Sequence, residues 1–323
     1  MQEGLFKKEK SEEEQEQMSC IEDEEKISRL FALKRKKFFS KLYKREVELV
    51  LLTVENVARV EAMIRTDSAY RRMFDEKEVP ICKRGGKFEL KQIDRARDFS
   101  YKYNDETKGQ VFQLKYGGST AYWMKQIKEA CKDDPRKSLS GIKYLVGGLV
   151  LAIDRENSTH LNAKGNGREV LVDRIVGDCR TFEGLIKRLK TDDLGKNSLL
   201  QLLAEPVNKA RANLSFASKF CHYASYYLLD GEDRDRYSIF DSVVGRVVPC
   251  YLERLEEEKA NGSCWNQIIT KDMFVNNKGK KKKIDYPLYH KAIADLLTMD
   301  EEEAISRNGF DHLVWYFHKG RDL

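Results

Sequence analysis

Downstream of Ser119 the chain repeats one texture. The segments Ala121–Cys131, Ser138–Ile153, Val170–Val176, Phe182–Leu189 and Asn197–Ala204 each carry apolar residues at steps of three and four. Such spacing lets a helix bury one stripe against its neighbours. Only five prolines interrupt 323 residues. A proline removes a backbone donor and clashes with the preceding turn, so their scarcity suits a helix-dominated fold. Ile27 to Phe74 reads the same way: Leu30, Leu33, Leu42, Val47, Leu51, Val54, Val57, Val60 and Ile64 recur at helix-like intervals, without Pro or Gly. Two helices, or one long bent helix, are expected there.

Other textures divide the chain. Residues 1–25 are rich in Glu, Gln and Lys and poor in aromatics, which predicts a flexible charged tail. Between Pro80 and Gly118, Lys87 to Ile93 and Gln110 to Tyr116 are β-prone pieces bounded by Gly85-Gly86 and Gly117-Gly118, which predicts a small hairpin. The expected organisation is a tail (1–25), an N-terminal helical region with a short β hairpin (26–118) and a helical domain (119–323). Tyr144 to Ile153 (YLVGGLVLAI) is too short to cross a bilayer, which demands ~20 apolar residues, and reads as a buried helix or strand.

Charge and cysteines narrow the function classes. The 59 Lys+Arg against 53 Asp+Glu leave a net charge of +6, which suits an anionic partner only where the charge is clustered. Two clusters stand out, Lys34 to Lys37 (KRKK) and Lys278 to Lys283 (KGKKKK). Seven scattered cysteines form no CxxC pair, which points to a reducing compartment and to neither a zinc nor an iron–sulfur site. No metal or cofactor is expected, and no membrane partner. The N-terminus lacks the apolar core of a signal peptide, so a cytoplasmic location is expected. Lys164-Gly-Asn-Gly-Arg168 lacks both a third glycine and a GK[ST] ending, so it reads as a surface turn.

The informative stretch is Asn208 to Val248. Asn213 or Ser215 can cap a helix running to Leu228. On that helix Phe216, Phe220, Tyr223 and Tyr227 make an aromatic stripe, and Ala217, Cys221, Ala224 and Leu228 a small apolar one. Ser215, Lys219, His222 and Tyr226 form a polar edge between them. Lys219 would sit at the margin of the core, where desolvation disfavours its ammonium form and makes a nucleophilic amine accessible. Asp241 follows the apolar pair Ile239-Phe240 and precedes Ser242-Val243-Val244, where a new helix should begin and favour a carboxylate. Taken singly, each has a plainer reading: a snorkelling surface lysine and an ordinary cap.

Together, Leu214 to His222 (LSFASKFCH) and Tyr237 to Val244 (YSIFDSVV) resemble the catalytic core of helix-hairpin-helix DNA glycosylases, most closely the bacterial branch with the 8-oxoguanine glycosylase fold. In that superfamily a hairpin precedes a helix bearing a catalytic lysine, and after a loop an aspartate opens the next helix. Lys219 and Asp241 fall on those positions. The segments Tyr286 to Ile293 and Phe310 to Phe317 resemble the end of the same branch, where late aromatics wall the base pocket. Asn213-Leu214-Ser215 stands where the family's hairpin carries glycines.

The resemblance implies a helix-hairpin-helix glycosylase-like helical fold and a DNA glycosylase, bifunctional with AP lyase activity, acting on duplex DNA with the target nucleotide flipped out. Lys219 and Asp241 would be catalytic. His222, Trp315 and Phe317 are candidates for the base pocket. Asn213, Ser215, Lys278, Lys280, Lys281, Lys282 and Lys283 are candidates for phosphate contacts. The target could be an oxidised purine or a hypermodified base such as invading viral DNA carries, in genome repair or in defence. The competing readings are a catalytically inactive DNA-binding protein of the same fold and a helical interaction protein assembled through the N-terminal amphipathic region.

Overall fold

The computed structural model describes residues 32–66, 119–157, 159, 161, 166–207, 213–259, 265 and 284–319. The expected tail, the β-prone pieces at 87–93 and 110–116, and the Lys278 to Lys283 run lie outside these residues. Among the described residues the protein is mainly helical, with ten α-helices and one two-stranded sheet. No helix among them is long and apolar enough to cross a membrane.

The first elements correct the sequence reading. Arg35–Ser40 (β1) and Arg45–Val50 (β2) are antiparallel strands, not helix, with Phe38 opposite Val47 and Lys36 opposite Leu49. Val47 and Leu49 are buried and Glu46 is exposed, a period of two that a helical count over so short a run absorbs. The reversal between the strands uses Lys44 at φ 54, a left-handed position filled without glycine, so no turn signal marks it. A helix follows only from Val54–Thr66 (α1). Asn56 locks the junction: its side chain accepts from Lys34 N at 3.0 Å and donates to the carbonyls of Lys34 at 2.8 Å and Leu51 at 2.9 Å.

From Ser119 the expected helices form. They are Thr120–Ala130 (α2), Lys143–Asn157 (α3), Gly167–Cys179 (α4), Phe182–Thr191 (α5) and Leu199–Ala204 (α6). Three more, Leu214–Leu228 (α7), Ser242–Glu258 (α8) and Tyr286–Leu296 (α9), lead to the last, Arg307–His318 (α10). Short polar side chains set many starts: Ser119, Thr181, Ser198, Asp285 and Ser306 each accept a first-turn N–H. YLVGGLVLAI is the buried body of α3. The KGNGR stretch ends in the first turn of α4, where Arg168 pairs with buried Asp154 at 2.6 Å.

Two groups of elements emerge. Helix α7 packs against α2, α3, α5 and α6; α8 packs against α9, α10 and β1, and α10 in turn against α1 and β2. One continuous core joins them, from Leu33 and Val47 to Phe220, Tyr251 and Phe317. Lys219 belongs to the first group and Asp241 to the second, so the seam between them carries the candidate site.

Inside the first group α3 packs closely on α2. A Cβ on Gly148 would lie 2.7 Å from three ring atoms of Trp123. Gly148→Ala is therefore expected to lose ~1–3 kcal/mol in urea unfolding through overpacking, despite alanine's ~1 kcal/mol helix advantage. Gly177→Ala in α4, where an added Cβ meets nothing within 4 Å, should instead gain ~0.5–1 kcal/mol.

Candidate active site

Helix α7 begins against the end of α6, and residues 208–212 of the connection between them lie outside the described residues. Asn213 stands at its N-cap but makes no side-chain cap bond. Its backbone N–H donates to Ala204 O at 2.9 Å, and its amide to Glu205 O at 3.2 Å, tying the start of α7 to the end of α6. Arg174 of α4 donates to the carbonyls of Glu205 at 2.9 Å and Pro206 at 3.1 Å, a cation at a helix C-terminus. Ser215 lies in the first turn of α7, its carbonyl accepting from Ser218 Oγ at 3.2 Å.

Between α7 and α8 the chain runs through a 3-10 turn, Gly231–Asp235, and then as a buried extended strap over 237–240. A strap without a neighbouring strand must satisfy its backbone groups with side chains. Tyr237 O meets His222 Nδ1 at 2.8 Å. Tyr286 Oη accepts from Ser238 N at 3.0 Å and donates to Ser238 O at 2.6 Å. Tyr289 Oη donates to Ile239 O at 2.5 Å, and Ser218 Oγ accepts from Phe240 N at 3.0 Å. Tyr286 and Tyr289, read from the sequence as part of a pocket-forming segment, thus hold the backbone that leads into Asp241.

Asp241 caps α8 as expected, and it divides its oxygens. Oδ1 accepts the N–H groups of Val243 at 2.8 Å and Val244 at 3.1 Å; Oδ2 faces Lys219 Nζ at 3.3 Å. The two residues are buried, 4 % and 7 % exposed. Lys219 has therefore left water with a counter-charge beside it, whereas the sequence suggested a desolvated amine at the core margin. Of its three N–H bonds only one finds an acceptor among the described residues, which leaves the ammonium or amine free to engage a further group.

A third ionisable group feels the charges of the pair. Asp311 on α10 is pushed up to about 7 by burial, then by the charge of Asp241, against the opposing effects of His312 and Lys219. Sequence reading took the Phe310 to Phe317 segment for its aromatics and passed over this carboxyl. Glu156, on α3, is also raised to about 7 by burial, but its carboxylate accepts from Thr120 N and Oγ1.

The other expected site residues are placed differently. His222 is 1 % exposed, with both ring nitrogens engaged, Nδ1 by Tyr237 and Nε2 by the Asn308 amide at 3.1 Å, and burial holds it below the usual histidine range. It is a satisfied core histidine that supports the strap. Phe317 is 1 % exposed and packs in the core. Trp315 is partly buried, with Lys319 Nζ lying 3.9 Å over its ring. The basic run at Lys34 to Lys37 is matched by carboxylates: Lys34 with Glu55, Arg35 with Glu48 at 3.3 Å, Lys36 with Glu258 at 2.6 Å and Lys37 with Glu46 at 3.3 Å. Its charge is largely spent within the fold.

No family model, no curated protein and no solved structure matches this chain. The site is consequently read from its own residues.

Ser218 is the strap's contact next to Lys219, and it lies in the core. Ser218→Ala should strand the Phe240 N–H and cost ~1–3 kcal/mol of stability. Ser218→Thr, which keeps the hydroxyl, should recover part of that loss in the same denaturation measurement.

Proposed function

We propose that this protein is a DNA glycosylase with AP lyase activity, excising a damaged or modified base through a lysine Schiff base. One observation carries the reading: Lys219 and Asp241, on separate elements and far apart in sequence, meet at 3.3 Å in a buried seam. That arrangement agrees with what the resemblance of Leu214 to His222 and Tyr237 to Val244 implies.

The chemistry suits the geometry. The glycosidic carbon is inaccessible inside a stacked duplex, so the target nucleotide must be extruded, at a cost of a few kcal/mol that protein contacts offset. As the base departs, positive charge builds on the sugar, and the Asp241 carboxylate, fixed by two backbone N–H groups, is preorganised to stabilise it. Substrate entering between the two side chains would part them. The Lys219 amine can then attack the anomeric carbon, and the resulting Schiff base opens the way to β-elimination and strand cleavage.

The second reading is a buried ion pair that only holds the two groups of helices together. The low exposure of both partners favours it, since buried pairs are often structural.

Borohydride trapping on duplexes carrying 8-oxoguanine or an abasic site separates the two readings. A covalent adduct is expected with the wild type and none with Lys219→Gln. Asp241→Asn, which keeps a capping oxygen, should slow base release by ~10²–10³-fold through lost charge stabilisation. Absence of any adduct with the wild type on either duplex would leave the structural pair standing.

A further inference from the structure

Asp311 is anomalous in a way that the fold does not explain. Its side chain is partly buried, and its Oδ1 is sealed from solvent with no hydrogen-bond partner among the described residues. No other carboxylate oxygen among those residues is left so. Other poorly exposed acids show what the chain does elsewhere: Asp154, Glu156, Asp241 and Asp300 all have N–H or O–H donors. A stranded buried oxygen destabilises the fold and calls for an account.

Its surroundings supply one. Asp311 stands one turn after Asn308 on α10, and Asn308 meets His222 Nε2 at 3.1 Å, one turn after Lys219 on α7; the carboxyl there feels the charges of Lys219, Asp241 and His312. His312 in turn sits 3.5 Å from Glu61 of α1. Lys219 and Asp241 already neutralise each other, so a second carboxylate beside them is a surplus negative charge in a poorly solvated seam. Its protonated form is the one this seam favours near neutral pH.

We infer that Asp311 is the general acid of the site, a carboxyl group whose unfilled hydrogen-bond position receives the target base and protonates it as it leaves. This rests on the glycosylase reading, and it adds a residue that the resemblance did not supply. As the bond between C1′ and the base nitrogen breaks, its electron pair leaves with the base and takes the Asp311 proton. Once substrate parts the pair, the Lys219 ammonium gives one proton to water, and the lone pair so freed forms the new bond to C1′. The secondary ammonium then created gives up a proton to water, and the Asp311 carboxylate regains its proton from solvent before the next turnover. Positioned acids of this kind contribute ~10²–10⁴-fold to rate.

The test compares wild type with Asp311→Asn in two assays: single-turnover base release from duplexes carrying 8-oxoguanine, and borohydride trapping on a preformed abasic site, where no base has to leave. Asp311→Asn should slow base release by ~10²–10⁴-fold and slow trapping on the abasic duplex far less, because no base departs there, while a retained cooperative urea transition shows that the variant is folded. Wild-type release should fall as pH rises through about 7, where the acid form drains away, and that limb should be missing from the variant. Equal release rates with superimposable pH profiles overturn the inference and leave the glycosylase reading intact. Trapping on the abasic duplex without any base release by the wild type also overturns it, since an AP lyase has no base to protonate. Absence of both activities in the wild type overturns both.

Discussion

The double use of Asp241 is the contact on which the arrangement depends. One oxygen closes the first turn of α8, and the other faces a lysine on α7. A carboxylate that only capped a helix could tolerate small shifts of the chain before it. One that must also meet Lys219 cannot, and the strap over 237–240 is held accordingly. Hydroxyls from Ser218, Tyr286 and Tyr289 and the ring of His222 satisfy backbone groups that a regular strand would give to a neighbour. Three of these residues are aromatic, so each adds buried apolar surface to the hydrogen bond it makes.

Burial raises the stakes of every polar group at the seam. Lys219 and Asp241 are nearly sealed, and in such surroundings a charge is tolerated only with its partner in place. The same low polarity is what makes a preorganised carboxylate effective against developing positive charge. It also explains why Asp311, lacking a cation of its own, favours its neutral form while Asp241 is matched by Lys219 and a helix N-terminus.

How much of this was legible in the sequence follows from the range of each interaction. The helices from Thr120 onward announced themselves through local periodicity and short polar caps, and Leu214–Leu228 began and ended where its pattern indicated. Lys219 and Asp241 were singled out by the resemblance, since their local settings, an apolar helix face and a helix start, by themselves suggest only a snorkelling lysine and an ordinary cap, and their meeting at 3.3 Å is a long-range fact. The hairpin at Arg35–Val50 was misread because strands of six residues fit either period, and Lys44 turns the chain without glycine or proline. The KRKK run showed its charge but not its partners, since Glu258 lies at the far end of α8. Asp311 and the strap-holding tyrosines escaped notice because nothing within their own segments tells which backbone or which charge they will meet. Their roles exist only after the two groups of helices close.

That closure gives the N-terminal hairpin a part in the site. Helix α8 carries Asp241 at its first end, and the hairpin grips it both near that end and further on: Tyr43 Oη donates to Arg246 O at 2.8 Å, while Glu253 accepts from Ser40 Oγ at 2.5 Å and Leu42 N at 2.9 Å. Tyr251 Oη donates to Val50 O at 2.8 Å. Buried Arg254 pairs with Asp300, which also accepts from Leu52 N at 2.7 Å, so the end of the hairpin and the α9–α10 connection are fastened to the same turn of α8. A helix is stiff along its axis, and fixing its second half limits how its N-terminus can tilt. The hairpin is thus better understood as a brace that sets the reach of Asp241 toward Lys219 than as an appendage, although none of its residues belongs to the pair itself.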